Sequence, residues 1–377
     1  MRPVWLVVAV AELAILLTIA APANPDKPGR AGGIRTAAAQ LRGSGPPVDL
    51  VQDYVGARDL ARGRDAYPVL TRAFASVGLA WPAGHRSTHP PTAFLLVLGV
   101  AWLPWKAAAA VWMVLMLAAL AGAYCALGAR PGPAVALAPL TLVWPPGGWS
   151  MGQLTPLWLL GLALAWRLRD RPAPAGAAIA LASLTKLLPV LSLLPFLLLR
   201  RWSVLRGFAI VWGAALALLL VLDAGAIGRY VTVTRTASRD QAARHENAAL
   251  LWAADHNYGA AGVAVAAVLV GAVLVRALRR VRRLGELDRL SWDSVGWASV
   301  ALLPIAWIYS LLPILPVLAR LVARGGLFAA ALALVTLVIP FFVDPFGLPG
   351  AIRLAFATAA LGVSLVAARR ARVRASA

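Results

Sequence analysis

The stretch "AAIALASLTKLLPVLSLLPFLLLRRW", residues 177–202, is apolar almost throughout and long enough to enter a membrane. Lys186 and Pro189 interrupt it, and Arg200 and Arg201 end it. Proline removes a backbone hydrogen-bond donor, so the pattern predicts two short helices rather than one continuous span. A lysine in such a run costs about 2.5–3.5 kcal/mol at mid-span and indicates a partner carboxylate, an ion or a phosphate; snorkelling to the interface is the simpler alternative.

The whole chain has the composition of a polytopic membrane protein. Hydrophobic residues make up 61% of its 377 positions and charged residues 14%, a balance that soluble globular proteins of this size do not show. The net charge of +21 does not indicate nucleic-acid binding, because most lysines and arginines stand in short clusters between apolar runs. We therefore expect a lipid bilayer, and no nucleic acid, among its partners.

Apolar segments recur along the chain and predict an all-α polytopic membrane protein. After a first run at 4–21, they stand at 91–105, 107–127, 133–147, 150–166, 174–199, 207–222, 258–278, 294–319, 327–343 and 350–368. Prolines break segment 294–319 as they break 174–199, which gives about 11–13 segments, some of them broken or re-entrant. We expect a single integral membrane domain over residues 1–377.

Basic clusters fix the predicted orientation. They stand at 167–171, 200–206, 276–289 and 369–374. The positive-inside rule places all of them in the cytoplasm. The opposite face then carries Lys186 and two long non-membrane stretches, at residues 23–90 and 223–257. A protein that only anchors or conducts rarely needs such loops, so we expect the functional site on this extracytoplasmic face.

The first of these stretches contains "VDLVQDYVGARDLARGRDAYP", residues 48–68. Asp49 and Asp53 stand four positions apart in a segment that predicts a helix over 48–63, so both would lie on one helix face. The charges alone indicate a solvated amphipathic helix on the membrane surface, with aspartates and arginines paired along it. The motifs that follow along the chain leave that interpretation only for Asp59 and Asp65.

Five motifs follow in order: "STHPPTAFLLVLGVAWLPW", "SMGQLTPLWLLGLALAWRLRDR", the broken segment with "SLTKLLP", "HENAALLW" and "LLPIAWIYSLLPIL". In this order and spacing, the chain resembles glycosyltransferase family 87, the polyprenyl-phosphate-sugar-dependent transferases of the GT-C membrane fold, over roughly residues 1–345. The resemblance implies a GT-C-type helical bundle in a bacterial plasma membrane. It also implies transfer of mannose, or alternatively arabinofuranose, from a polyprenyl phosphate to a lipid-linked glycan, with inversion.

The resemblance assigns individual residues as well. Asp49 takes the place of the family's proposed catalytic base, and Tyr54 falls on an aromatic position of the same motif. His89 and two prolines stand where the family has Tyr-Pro-Pro, Gln153 ends its Gly-Gln, and Lys186 begins its Lys-Leu-x-Pro. Simpler roles stay open for two of these side chains, because His89 would also suit an interfacial hydrogen bond and Gln153 a helix cap.

The late part of the pattern departs from the family. A Trp-x-His-His-type stretch is matched only by Trp307, with Tyr309 at a following polar position. The resemblance therefore implies that Tyr309 or His256 replaces the missing histidine, or that the acceptor differs. Asn247, together with His256, would form the roof of the acceptor site. This departure also leaves open the interpretation that the chain is an inactive family member and acts as an assembly partner.

Sugar transfer from a lipid phosphate needs a base for the acceptor hydroxyl, a cradle for the departing phosphate and an apolar groove for the lipid. Partial burial raises the pKa of a carboxylate toward the working range, which suits Asp49 as the base. Asp53 would bind sugar hydroxyls or serve as the base instead. Lys186 is the expected phosphate ligand, with Arg58 and Arg229 as alternatives.

Neither a metal site nor a cofactor is predicted. His85 and His89 stand four apart, but glycine and proline bracket them and no third ligand is near in the sequence. The chain has no phosphate-binding loop or dinucleotide fingerprint, which favours a lipid-linked donor over a nucleotide sugar. A rival from another class is a transporter or flippase for a lipid-linked or anionic substrate, with Lys186 and the broken helices as its binding site.

Overall fold

The computed structural model describes residues 47–80, 84, 86–143, 152–242, 250–303, 310 and 312–313. The α-helices in these ranges are α1 Val48–Ala61, α2 Leu70–Ala75, α3 Pro91–Val97, α4 Trp105–Ala126, α5 Pro131–Val143, α6 Thr155–Arg167, α7 Pro172–Thr185, α8 Leu194–Leu198, α9 Ser203–Asp223, α10 Ala226–Ala242, α11 Leu250–Leu284 and α12 Arg289–Ala301. Among them, α4, α9 and the part of α11 from Tyr258 to Leu284 are long and apolar enough to cross a membrane. The prediction of an all-α polytopic membrane protein is confirmed.

Several predicted features lie outside the described residues. They are the first apolar run at 4–21, Asn247, Trp307, Tyr309 and the segments 327–343 and 350–368. The described residues fall into two compact units, one made of 47–189 and 203–241 and the other of 190–202, 242 and 250–303. In the second unit, α11 packs against α12 and α8.

Small residues let the helices of the first unit pack with their backbones close together. Gly161 of α6 lies against Ala182 of α7, where an added Cβ would come within 2.8 Å of the alanine Cβ. Gly207 of α9 lies against the backbone carbonyl of Ala173 in α7. Close approach at small residues is how helices associate where lipid removes the hydrophobic driving force between them. The result is a packed row of α4, α6, α7 and α9.

The break predicted around Lys186 is present. Helix α7 ends at Thr185, Lys186 is extended with φ −153° and ψ 141°, and a 3₁₀ turn runs over Leu188–Leu193 before α8. The hydroxyl of Thr185 donates to the Ala182 carbonyl at 2.7 Å and closes the last turn. The lysine therefore stands at a helix end, where a cation is favoured by the helix dipole. The second predicted break has a counterpart too, because α12 ends at Ala301, just before Pro304.

The prediction of a span over 91–105 is wrong. Helix α3 has only 7 residues, about 10 Å at 1.5 Å per residue, which is a third of the hydrocarbon thickness. Turns occupy the positions from Leu98 to Leu103, and Pro104 then caps the start of α4. The apolar composition of this segment serves packing against α1, α7 and α9 rather than a crossing.

The acidic helix forms as predicted but is not a solvated surface helix. It runs over Val48–Ala61 and ends before Gly63, which has φ +63°. All residues from Asp49 to Ala57 are buried. Gly56 accounts for part of this burial, since an added Cβ would lie 3.0 Å from the ring of Phe94 in α3. The charge pattern alone predicted a solvated helix, and this was wrong because α3 packs over α1 and both the apolar and the acidic residues of α1 are buried.

We predict that Gly207→Ala lowers the unfolding temperature of the purified protein in detergent. The new methyl group would overlap the Ala173 backbone in α7, and overpacking of this kind costs about 1–3 kcal/mol. Gly213→Ala is the matched control, because it lies on the same helix with nothing within 4 Å of an added Cβ. Equal unfolding temperatures for the two variants would contradict the close α7–α9 contact.

Candidate functional site

Two buried carboxylates lie one turn apart on α1. Asp49 is 6% exposed and Asp53 is 1% exposed. The side-chain amide of Gln52 donates to Asp49 Oδ1 at 2.9 Å. Burial of ionised carboxylates is costly unless hydrogen bonds and positive charges compensate it. The groups around this pair therefore decide what it can do.

His89 supplies one of these groups from the loop that precedes α3. Its Nδ1 lies 2.8 Å from Asp53 Oδ1, and its side chain is 12% exposed. Burial lowers the pKa of His89, but the carboxylates of Asp53 and Asp49 raise it more, against the opposing charge of Lys186, so that the net pKa lies above its usual value. The imidazole thus keeps its proton to higher pH than free histidine does.

The backbone of His89 is held from two sides. Its N–H donates to the Ser87 hydroxyl at 3.2 Å, and its carbonyl accepts a hydrogen bond from the Tyr67 hydroxyl at 3.1 Å. Next along the chain, the hydroxyl of Thr92 in α3 donates to the Leu184 carbonyl near the end of α7 at 2.9 Å. These bonds fix the histidine loop to the helix end that carries the lysine.

Lys186 supplies the second positive group. It follows the last residue of α7, and its charge interacts with Asp49, Asp53 and His89. The lysine, the histidine and the acidic pair thus form one electrostatic cluster, built from α1, the loop before α3 and the end of α7. The next residue, Leu187, is apolar and 48% exposed.

A small, partly open pocket lies beside this cluster. Its lining consists of His89, Gln153, Leu154, Thr155, Trp158, Thr185 and Lys186. Gln153 Nε2, Thr155 Oγ1 and Trp158 Nε1 are buried and have no hydrogen-bond partner within the described residues. Buried polar groups are normally satisfied. Three available hydrogen-bonding groups and an ammonium group therefore suit an anionic, oxygen-rich ligand such as a phosphate.

The turn before α6 places Gln153 in this lining. Gly152 has φ +69°, and an added Cβ would lie 2.6 Å from the Cβ of Leu50 in α1. Only glycine meets both constraints without strain. The indole of Trp112 in α4 donates to the Gly152 carbonyl at 3.0 Å and holds the turn from the other side. The Gly-Gln motif thus docks α6 against the acidic helix.

Other residues that the sequence nominated lie elsewhere. The hydroxyl of Tyr54 donates to the Leu103 carbonyl at 2.7 Å, and Arg58 lies over the Tyr54 ring with Nη1 3.3 Å from its hydroxyl. Arg229 forms ion pairs with Asp223 and Asp65. None of the three lines the pocket, and their binding roles stay predictions. His256 belongs to α11, but its side chain lies outside what the structure describes.

Sequence reasoning missed Thr155 and Trp158 as pocket residues. The available signal was their spacing. Thr155 and Trp158 stand three positions apart, so they share a face of the helix that begins just after Gln153. The Asp53–His89 contact had no local signal, because the two residues stand 36 positions apart. In the described part of the chain, no group of three or more His, Cys, Asp or Glu side chains is arranged to hold a metal ion.

The comparisons with known proteins give one match. The sequence model described as glycosyltransferase family 87 matches residues 88–304. The matched range covers more than half of the chain and includes His89, Gln153 and Lys186, whereas Asp49 and Asp53 precede it. Neither a curated protein nor a solved structure matches the chain. On the extent of the family match, the chain belongs to glycosyltransferase family 87.

Proposed function

We propose that this membrane glycosyltransferase takes mannose from a polyprenyl phosphate and adds it to a lipid-linked glycan outside the cytoplasm of a bacterial cell, with inversion. Arabinofuranose is the alternative sugar. The observation that carries the proposal is the buried Asp49–Asp53 pair, which interacts with His89 and Lys186, two residues that line a pocket with several hydrogen-bond donors. This cluster combines a base with a cradle for an anion.

The cradle suits the phosphate of the donor lipid. Lys186 provides a positive charge when protonated, and the amide of Gln153 and the indole of Trp158 provide directed hydrogen bonds. Such groups stabilise the negative charge that develops on a phosphate as it departs. The exposed Leu187 beside the lysine offers an apolar surface for the first isoprene units.

Asp49 is the proposed base. The acceptor hydroxyl oxygen attacks the anomeric carbon, its proton passes to the Asp49 carboxylate, and the bond from that carbon to the phosphate oxygen breaks. The electron pair leaves with the polyprenyl phosphate, so no acid is needed for the leaving group. A single displacement of this kind inverts the anomeric configuration. Asp53 keeps His89 oriented through the 2.8 Å contact.

The direction of the helices supports a site on the extracytoplasmic face. Helix α6 begins at the pocket and ends at Arg167, and α7 begins after Arg171 and ends at Thr185, directly before Lys186. The pocket thus lies at the helix ends opposite to these arginines, which the positive-inside rule places in the cytoplasm.

A transporter or flippase is the second candidate function, because a half-buried lysine at a broken helix also suits transient binding of an anionic lipid. Reconstituted vesicles with a labelled polyprenyl-phosphate sugar separate the two. Sugar transfer to an acceptor supports the transferase, and translocation without transfer supports the flippase. A member that acts only as an assembly partner would do neither.

Asp49→Ala and Asp49→Asn should each lower sugar transfer by about 10²–10⁴-fold, because both remove the base while Asn keeps the shape of the side chain. The measurement is transfer from labelled polyprenyl-phosphate mannose in membranes with matched amounts of protein. Asp170→Asn is the control, since Asp170 is 76% exposed in the turn between α6 and α7. Full activity in both Asp49 variants would eliminate Asp49 as the base.

Lys186→Gln should weaken transfer strongly, and Lys186→Arg should retain more of it, because arginine keeps the charge that holds the phosphate. Steady-state kinetics with varied donor concentration measure the effect. The matched control is Lys106→Gln, which changes an exposed lysine at the start of α4. Equal losses for the Lys106 and Lys186 variants would remove the phosphate cradle from the proposal.

The rate should fall as the pH rises through the pKa of His89, because the protonated imidazole donates to the ligand in the pocket. The Asp53 carboxylate helps to raise this pKa, so Asp53→Asn should move the alkaline limb of the pH–rate profile to lower pH. Profiles of kcat/KM for the two proteins measure the shift. A limb that stays in place, or moves to higher pH, would contradict a role for protonated His89.

A further inference from the structure

A second charged cluster lies outside the pocket and centres on Asp65, in the loop after α1. Arg86 Nη1 lies 2.9 Å from Asp65 Oδ2, and Arg229 Nε lies 3.3 Å from Asp65 Oδ1. Arg229, which α10 contributes, also pairs with Asp223 at the end of α9. The sequence predicted a solvated Asp65 and nominated Arg229 as a phosphate ligand. Asp65 is 44% exposed, as expected of a solvated residue, and the contacts of both side chains join separate parts of the first unit.

The cluster connects inward through Tyr67. The Tyr67 N–H donates to Asp65 Oδ1 at 3.0 Å, and Arg86 Nη1 donates to the Tyr67 carbonyl at 2.7 Å. The Tyr67 ring is fully buried and contacts the rings of Phe94 and Tyr230, with centroids 5.2 Å and 6.3 Å away. Its position thus depends on both the ionic contacts and the aromatic ones.

Tyr67 also contacts the candidate site, so its position affects that of His89. Its hydroxyl donates to the His89 carbonyl at 3.1 Å, and the imidazole of the same histidine contacts Asp53. Burial raises the pKa of Tyr67, so the hydroxyl stays protonated and remains a donor. A continuous series of contacts therefore runs from Arg229 through Asp65, Tyr67 and His89 to the acidic helix.

We infer that Arg229 and Asp65 are positioning residues for the active site, which act through Tyr67 to hold His89, a pocket-lining residue, against Asp53. This inference rests on the proposed function, since it assigns His89 a place in the transferase site. The ion pairs are between about one third and one half exposed, apart from the more enclosed Asp223. Exposed ion pairs contribute little to the free energy of folding, so their main effect is on geometry.

The titration of His89 separates positioning from a direct charge effect. Removal of the Arg229 charge would by itself raise the pKa of a nearby imidazole. A loosened His89–Asp53 contact would lower it, because the carboxylate that favours the charged form moves away. The groups that face the imidazole are Asp53 and Asp49 of α1 and Lys186 after α7, and the variants below leave all three in place.

The experiment is a pH titration of the histidine ring nitrogens by NMR in the labelled full-length protein in nanodiscs. The chain has 4 histidines, and His89→Gln identifies the signal of interest. We expect Arg229→Gln and Tyr67→Phe each to lower the His89 midpoint by about half a pH unit or more. Arg229→Lys should restore most of the shift, because it keeps the charge that pairs with Asp65. Asp170→Asn should leave the midpoint unchanged.

The double variant Arg229→Gln/Tyr67→Phe tests whether Arg229 acts on His89 through Tyr67. If both residues act in one series, the double variant should lower the midpoint no further than Tyr67→Phe alone. The Arg229→Gln protein should also show the alkaline limb of kcat/KM at lower pH, as is expected of Asp53→Asn. An unchanged or raised midpoint in Arg229→Gln, or additive shifts in the double variant, would overturn the inference.

The outcomes distinguish this inference from the proposed function. A wild-type protein that transfers no sugar in nanodiscs with donor and acceptor would refute the proposed function. A wild-type protein that transfers sugar, with an Arg229→Gln variant that has the same midpoint and the same pH–rate profile, would refute the positioning role alone.

Discussion

The burial of two carboxylates on one turn of α1 is the constraint on which the rest of the site depends. Asp49 and Asp53 are nearly inaccessible to water, and ionised groups in such a place need positive partners and hydrogen bonds. His89 and Lys186 meet that need from two different parts of the chain. The same compensation gathers two carboxylates and two basic side chains, and His89 and Lys186 also line the pocket.

The helix packing of the first unit brings these groups together. Helices α6 and α7 run in opposite directions and approach closely at Gly161, so the start of one and the end of the other meet at the pocket. Short α3 then packs over α1 and carries the histidine loop to Asp53. A membrane-spanning α3 could not do this, and the helix instead ends after 7 residues, with turns between it and Pro104.

The predictable part of the fold came from strong local signals. Lys186 and Pro189 within an apolar run indicated the helix break that the structure contains, and the spacing of Asp49 and Asp53 indicated one helix face. The errors came from tertiary contacts. The apolar stretch after Pro90 resembled a membrane span, because composition does not show whether apolar residues contact lipid or another helix. Helix α1 was interpreted as solvated, because the charge pattern of a helix does not show that another helix covers it.

By itself, the sequence determined that the chain is an all-α membrane protein, which helices break and which acidic residues share a turn. These features depend on composition and on neighbours within a few positions, which hydropathy and helical periodicity report directly. Only the tertiary structure decided that His89 pairs with Asp53, that Thr155 and Trp158 face the same pocket as Lys186, and that Asp65 joins Arg229 to the histidine loop. Such contacts link distant positions, and no local periodicity encodes them.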